Sequence, residues 1–141
     1  MIEPAFSLPV RVYYEDTDAA GVVYYANYLR YLERARTEWL ASIGHPLTEL
    51  ERVHGIVFVV RRIEVDYRLP ARLWDALDVT VAIEALGRAS LTMEQEVRRG
   101  DQALATARVK LACVDRERYK PVRIPVSLKT PERPESPESK R

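Results

Sequence analysis

The chain changes its hydrophobic period twice. Leu8, Val10, Val12 and Tyr14 alternate with Pro9, Arg11 and Tyr13, which predicts a short strand with one buried face. Over residues 27–43 the period becomes helical. Tyr28, Leu32, Ala35 and Trp39 form one stripe, widened by Leu29, Leu40 and Ile43, while Arg30, Glu33, Arg34 and Glu38 fall opposite. Gly44 followed by Pro46 ends that helix, and Thr48 to Val53 predicts one more short helical turn. From Ile56 onward the period is two. Ile63, Val65 and Tyr67 alternate with Glu64 and Asp66 as far as Pro70, and Leu77, Val79, Val81 and Ile83 alternate with polar or small residues. Gly87-Arg88 reverses the chain. Leu91, Met93, Gln95 and Val97 make the next strand, Gly100-Asp101 reverses it again, and Ala103, Ala105, Ala107, Val109, Leu111 and Cys113 make the last.

Short connections between alternating strands predict an antiparallel sheet. One long striped helix and one such sheet must bury each other. The small side chains of Ala103, Ala105 and Ala107 allow a helix to approach closely. The expected fold is therefore α+β, a five-stranded antiparallel sheet wrapped around one long helix, the arrangement called a hotdog. Residues 1–126 make this domain. Residues 127–141 carry Pro131, Pro134 and Pro137 among charged and small residues, with Leu128 the one large apolar side chain. That composition buries too little surface to offset its ordering entropy, so a largely disordered tail is expected.

At 141 residues the chain has room for one domain with a real core. Its 22 basic and 21 acidic residues leave a net charge of +1, which argues against nucleic acid as a partner. Cys113 is the only cysteine, so neither an internal disulfide nor a cysteine metal cluster can form. Two isolated histidines, His45 and His54, do not make a zinc site, so no metal is expected. The N-terminus lacks the pattern of a signal peptide, and no apolar run approaches the roughly 20 residues that span a bilayer. A cytoplasmic protein without stable membrane insertion is expected.

The chemistry concentrates in residues 13–28, Tyr-Tyr-Glu-Asp-Thr-Asp-Ala-Ala-Gly-Val-Val-Tyr-Tyr-Ala-Asn-Tyr. Asp16 and Asp18 stand just before a small-residue turn, and the helical pattern follows. A carboxylate beside the free N–H groups of a helix start is equipped to attack a carbonyl and hold the oxygen that becomes negative. The same residue types also cap helices. Gly21 suits a turn needing positive φ.

This segment, with Ala26-Asn27-Tyr28 and Glu33-Arg34-Ala35-Arg36 behind it, resembles the hotdog acyl-CoA thioesterases. It is most similar to the branch associated with the Tol-Pal system, related to 4-hydroxybenzoyl-CoA thioesterase. The resemblance extends through Phe58-Val59-Val60-Arg61-Arg62 and Tyr67-Arg68-Leu69-Pro70-Ala71-Arg72-Leu73, covering roughly residues 8–126. One position departs from it: that branch commonly carries His after Val-Val-Tyr, and here stands Tyr25. A phenol donates a hydrogen bond but is a poor base at neutral pH.

The resemblance implies thioester hydrolysis, acyl-CoA plus water giving a carboxylic acid and CoA, with no cofactor beyond the substrate's own CoA. It assigns Asp18 as the catalytic carboxylate, as nucleophile or as general base. It assigns the Tyr25 backbone N–H as the oxyanion donor, with Gly21 shaping the turn, and leaves Asp16 a structural role. It also implies basic contacts to the CoA phosphates, for which Arg88 at the Gly87-Arg88 turn leads, followed by Arg61 and Arg62; the planar guanidinium suits phosphate oxygens. An open sheet edge predicts a homodimer, and the resemblance implies further association into a homotetramer, with sites between protomers. Acyl-carrier protein is an alternative thiol carrier. Two other readings are a non-catalytic acyl-binding adaptor linked to the cell envelope, and an acyl-CoA hydratase or dehydratase. The latter needs a His near the same helix, and none precedes His45.

Overall fold

The computed structural model describes residues 4–128. Strand β1 (Phe6–Arg11) leads through a single 3-10 turn (Tyr14–Asp16) to helix α1 (Asn27–Ser42) and helix α2 (Leu47–His54). Strands β2 (Ile56–Tyr67), β3 (Ala76–Leu86), β4 (Ser90–Arg99) and β5 (Gln102–Asp115) follow. They form one antiparallel five-stranded sheet in the order β1-β3-β4-β5-β2. This is the hotdog arrangement, with α2 a fuller second helix than the short turn expected.

The inner face of the sheet carries Leu77, Val79 and Val81 of β3, Leu91, Met93 and Val97 of β4, and Ala105, Ala107, Val109, Leu111 and Cys113 of β5, all buried. The α1 stripe of Tyr28, Leu32, Ala35 and Trp39 packs on it, against β1, β3 and β4. Each fully buried leucine there contributes roughly 1.5–3 kcal/mol relative to exposure. Gln95 is the polar member of the core. Its Nε2 donates to the carbonyls of Leu32 (3.1 Å) and Thr80 (3.2 Å), and its Oε1 accepts from Arg36 Nη1 (3.0 Å), so helix and sheet are joined by a satisfied network.

Three expectations are corrected. Tyr14 does not extend β1 but lies exposed in the 3-10 turn, where the Asp16 carboxylate accepts the Tyr13 N–H (2.9 Å) and the Thr17 hydroxyl donates to the Tyr14 carbonyl (2.7 Å). These local bonds outcompete a strand ladder. Leu29 is exposed rather than part of the stripe, because α1 covers only one half of the sheet. Leu128, assigned to the tail, is buried in the core, so packing continues two residues past the expected boundary at 126. The remainder of the expected tail, residues 129–141, lies outside the described residues.

Candidate active site

The site segment is held by a small irregular sheet of its own. Thr17 bridges Val23, and Val22 bridges Arg72. The Asp18 N–H donates to the Val22 carbonyl (2.9 Å), the Gly21 N–H to the Asp18 carbonyl (3.0 Å), and the Val23 N–H to the Ala71 carbonyl (2.8 Å). Residues 18–21 thus form a tight reversal, and Gly21 occupies it at φ +79°, the left-handed conformation anticipated for it.

The two aspartates differ in their surroundings. Asp16 is consumed by structure. Besides holding the Tyr13 N–H, its carbonyl accepts the Tyr24 N–H (3.0 Å) and the Asn27 side-chain amide (2.8 Å). Behind it, burial and then the Asp16 carboxylate raise the pKa of the Tyr31 phenol, which stays protonated. Asp18 is exposed, its Oδ1 accepts the Ala20 N–H (2.8 Å), and its other carboxylate oxygen meets no protein donor among the described residues. It does not cap α1: the N-cap is Ala26, without a side-chain cap.

That uncapped start leaves two adjacent donors. The carbonyl of Tyr24 accepts the Asn27 N–H (2.8 Å), and the carbonyl of Tyr25 accepts the Tyr28 N–H (3.3 Å). The N–H groups of the same two peptides, those of Tyr25 and Ala26, donate to no acceptor among the described residues. Because each peptide carries its N–H opposite its C=O, both point away from the helix body, at the positive end of its dipole. Tyr25 was expected as a donor; Ala26 was not.

Beside them lies a depression of about 250 Å³ lined by Val23, Tyr25, Tyr28, Tyr67, Arg68, Leu69 and Pro70. Its walls are tyrosine rings packed edge-on, with centroids of Tyr25 and Tyr67 6.1 Å apart and of Tyr28 and Tyr67 5.3 Å apart. The Tyr67 hydroxyl donates to the Tyr25 carbonyl (3.1 Å), and the Ala71 N–H donates to the Tyr28 hydroxyl (3.0 Å). The role of Tyr67 escaped the sequence reading. The available signal was a tyrosine ending a strand ahead of a proline-containing loop, too weak by itself to pair residue 67 with residue 25. Asp18 does not line this depression within one chain.

The arginines lie elsewhere. A bulge between Val60 and Arg62 leaves Arg61 as an extra residue in β2. Arg61 falls on the outer face by alternation from Val60, where it lines a 270 Å³ hollow with Ala89, Ser90, Lys110, Ala112 and Pro121, and the bulge turns Arg62 to the same face opposite Lys110. Arg88 is exposed on the β3–β4 turn, in a separate hollow with Arg123 and Ile124. Six residues of strand separate Arg61 from Tyr67, roughly 20 Å at strand rise. None of the three arginines lines the Tyr25 depression.

His45 sits half-buried between the helices with Nδ1 3.6 Å from Glu49, and Cys113 is fully buried in β5. Burial raises the Cys113 thiol to about 11, so it is no nucleophile at neutral pH. Among the described residues no group of three or more His, Cys, Asp or Glu is arranged to hold a metal ion, and no helix is long and apolar enough to cross a membrane.

In sequence and fold the chain is similar to known thioesterases. Residues 12–131 match the family model described as the thioesterase-like superfamily. The chain is 43% identical to the acyl-CoA thioesterase YbgC of Haemophilus influenzae, over 92% of this chain and 95% of that protein. It is 42% identical to the acyl-CoA thioester hydrolase YbgC of Escherichia coli O6:H1, over 87% of this chain and 92% of that one. The crystal structure named "Probable Thioesterase from Bartonella henselae" superposes with a TM-score of 0.82 at 40% identity, covering 86% of this chain and all (100%) of that one.

Proposed function

Because the chain belongs to the thioesterase-like superfamily, we propose that it hydrolyses acyl-CoA thioesters to carboxylic acid and CoA, with Asp18 as the reacting carboxylate and the Tyr25 and Ala26 N–H groups as the oxyanion hole. The observation that carries this reading is the pair of unsatisfied, parallel N–H groups at the start of α1 in the same folded segment as a carboxylate with a free oxygen.

Both peptide donors are oriented before substrate arrives, so their stabilisation of the developing oxyanion needs no reorganisation. Asp18 then acts in one of two ways. As nucleophile, its carboxylate displaces the CoA thiolate to form a mixed anhydride, which water hydrolyses. As general base, it takes a proton from water, the hydroxide adds to the carbonyl, and collapse of the tetrahedral intermediate expels the thiolate, which recovers the proton. Thiolate is a good leaving group, so no further acid is required. No metal or redox group takes part in either course.

The depression beside Tyr25, about 250 Å³, is smaller than the roughly 300–1,000 Å³ of ordinary ligand sites. We read it as half a site. Strand β2 has an unpaired edge, and its inner-face residues Val60 and Tyr67 are about half exposed. A second copy pairing along β2 closes the depression and brings its own outer-face arginines within reach of the substrate's phosphates. In this reading Arg61 and Arg62, with Lys110, grip the CoA phosphates, and Arg88 takes a secondary place across the turn.

The test is release of free thiol from acyl-CoA substrates running from acetyl to palmitoyl, with benzoyl-CoA and acyl-carrier-protein thioesters alongside. Turnover on at least one CoA ester is expected. Asp18→Asn should keep the melting temperature and assembly of the parent while losing roughly 10²–10⁴ in kcat. Parent-like turnover by that variant removes Asp18 from the mechanism.

A further inference from the structure

The hydroxyl of Tyr67 makes one hydrogen bond, to the carbonyl of Tyr25. That carbonyl belongs to the peptide that carries the Ala26 N–H. A planar trans peptide holds the two groups antiparallel, so fixing the direction of one fixes the other. Within the helix the Tyr25 carbonyl is held only by the Tyr28 N–H, at 3.3 Å, the longest of the bonds at this helix start. The peptide before it is held more firmly, with its Tyr24 carbonyl 2.8 Å from the Asn27 N–H. The two donors of the hole are therefore unequally anchored, and the weaker one borrows a partner from β2.

We propose that Tyr67 is a positioning residue for the oxyanion hole, its hydroxyl orienting the Tyr25–Ala26 peptide so that the Ala26 N–H meets the developing oxyanion. The inference rests on the reading of the Tyr25 and Ala26 N–H groups as that hole. Tyr67 sits at the last residue of β2, where the strand leaves for the loop that the Ala71 and Arg72 backbone fastens to Val23 and Val22. The phenol is thus carried by β2 and by the loop that follows it. Its ring, about half exposed, meets those of Tyr25 and Tyr28 edge-on. Burial and the neighbouring phenols of Tyr25 and Tyr28 raise its pKa, so it remains a donor throughout the neutral range. A loosened donor costs rate because a preorganised dipole stabilises the transition state only where it already points.

Two variants test this. Tyr67→Phe deletes the hydroxyl and keeps the ring, and Tyr67→Leu deletes both. Removing a whole oxyanion donor costs on the order of 10²–10³, so losing the anchor of one donor is expected to lower kcat by roughly tenfold in both variants, with KM nearly unchanged. The Ala26 amide nitrogen resonance should move in Tyr67→Phe, since the polarisation of its peptide carbonyl changes. A merely structural hydroxyl would lower the melting temperature and leave that resonance and kcat in place. Parent-like kcat in Tyr67→Phe with a loss only in Tyr67→Leu overturns the proposal, as does a fall in kcat/KM carried by KM, or loss of the melting transition in Tyr67→Phe. Failure of the underlying reading is seen separately, as absence of thiol release from every CoA ester by the parent protein.

Discussion

The inner face of the sheet has two halves. Over β1, β3 and β4 it is sealed by α1, with Leu32, Trp39, Val79, Met93 and Gln95 buried and the polar groups of Gln95 bonded. Over β2, residues of the same inner register remain open: Val60, opposite Leu111, is 47% exposed, and Tyr67 is 46% exposed. The sealed half accounts for why the chain folds. The open half carries the tyrosine depression and the free strand edge. A single helix of 16 residues is not wide enough to cover five strands, and β2 is left with an exposed inner face beside its open edge.

Breaking the sealed half gives the largest expected effect. Leu32→Ala removes a fully buried side chain between helix and sheet and should cost about 2–5 kcal/mol in denaturant unfolding, while kcat per folded molecule stays close to the parent. A loss of kcat without loss of stability would mean the two halves are not separable. Val60→Glu strikes the open half. The side chain is half-exposed in the single chain, so folding should be little affected, but a charge on the edge proposed to pair should weaken self-association by about 1–3 kcal/mol, read by sedimentation across concentration. Unchanged assembly would place the second copy elsewhere.

The smallest effect is alkaline. The Cys113 thiol is raised from 9.0 to about 11, and burial also raises the phenols of Tyr28 and Tyr31. A folded state that holds its protons more tightly than the unfolded chain keeps that contribution below the unfolded pKa and loses it as pH climbs through the folded one. Stability should therefore be flat near neutrality and decline from about pH 9 to 11, with Cys113 resistant to alkylation at pH 8 until the protein is unfolded. Ready alkylation of the native protein at pH 8 would contradict the sealed core.

Much of this was legible in the residues. The stripe Tyr28, Leu32, Ala35, Trp39 and the alternation from Ile63 to Cys113 specify helix and strands because each period admits one buried face. The positive φ of Gly21 and the structural bonds of Asp16 were readable too, since they are local. What escaped was non-local. That Tyr67 reaches Tyr25, and that the Ala26 N–H is left free beside it, depend on a loop folding back across 42 positions. The burial of Leu128 follows from where the last strand ends, and its flanking prolines and charges conceal that.

The sequence by itself determined the element types, the covered face of each element, the antiparallel order of turns and the family of the chain, because these follow from local periodicity and a motif written in contiguous residues. The tertiary structure decided which groups stay unsatisfied. The bulge after Val60 sends Arg62 to the outer face beside Arg61, the partial cover by α1 leaves β2 open, and the meeting of Tyr67 with the start of α1 ties the carbonyl of a peptide whose N–H the uncapped helix leaves free. A hydrogen bond withheld is a property of the whole arrangement of neighbours, and no stretch of residues states it.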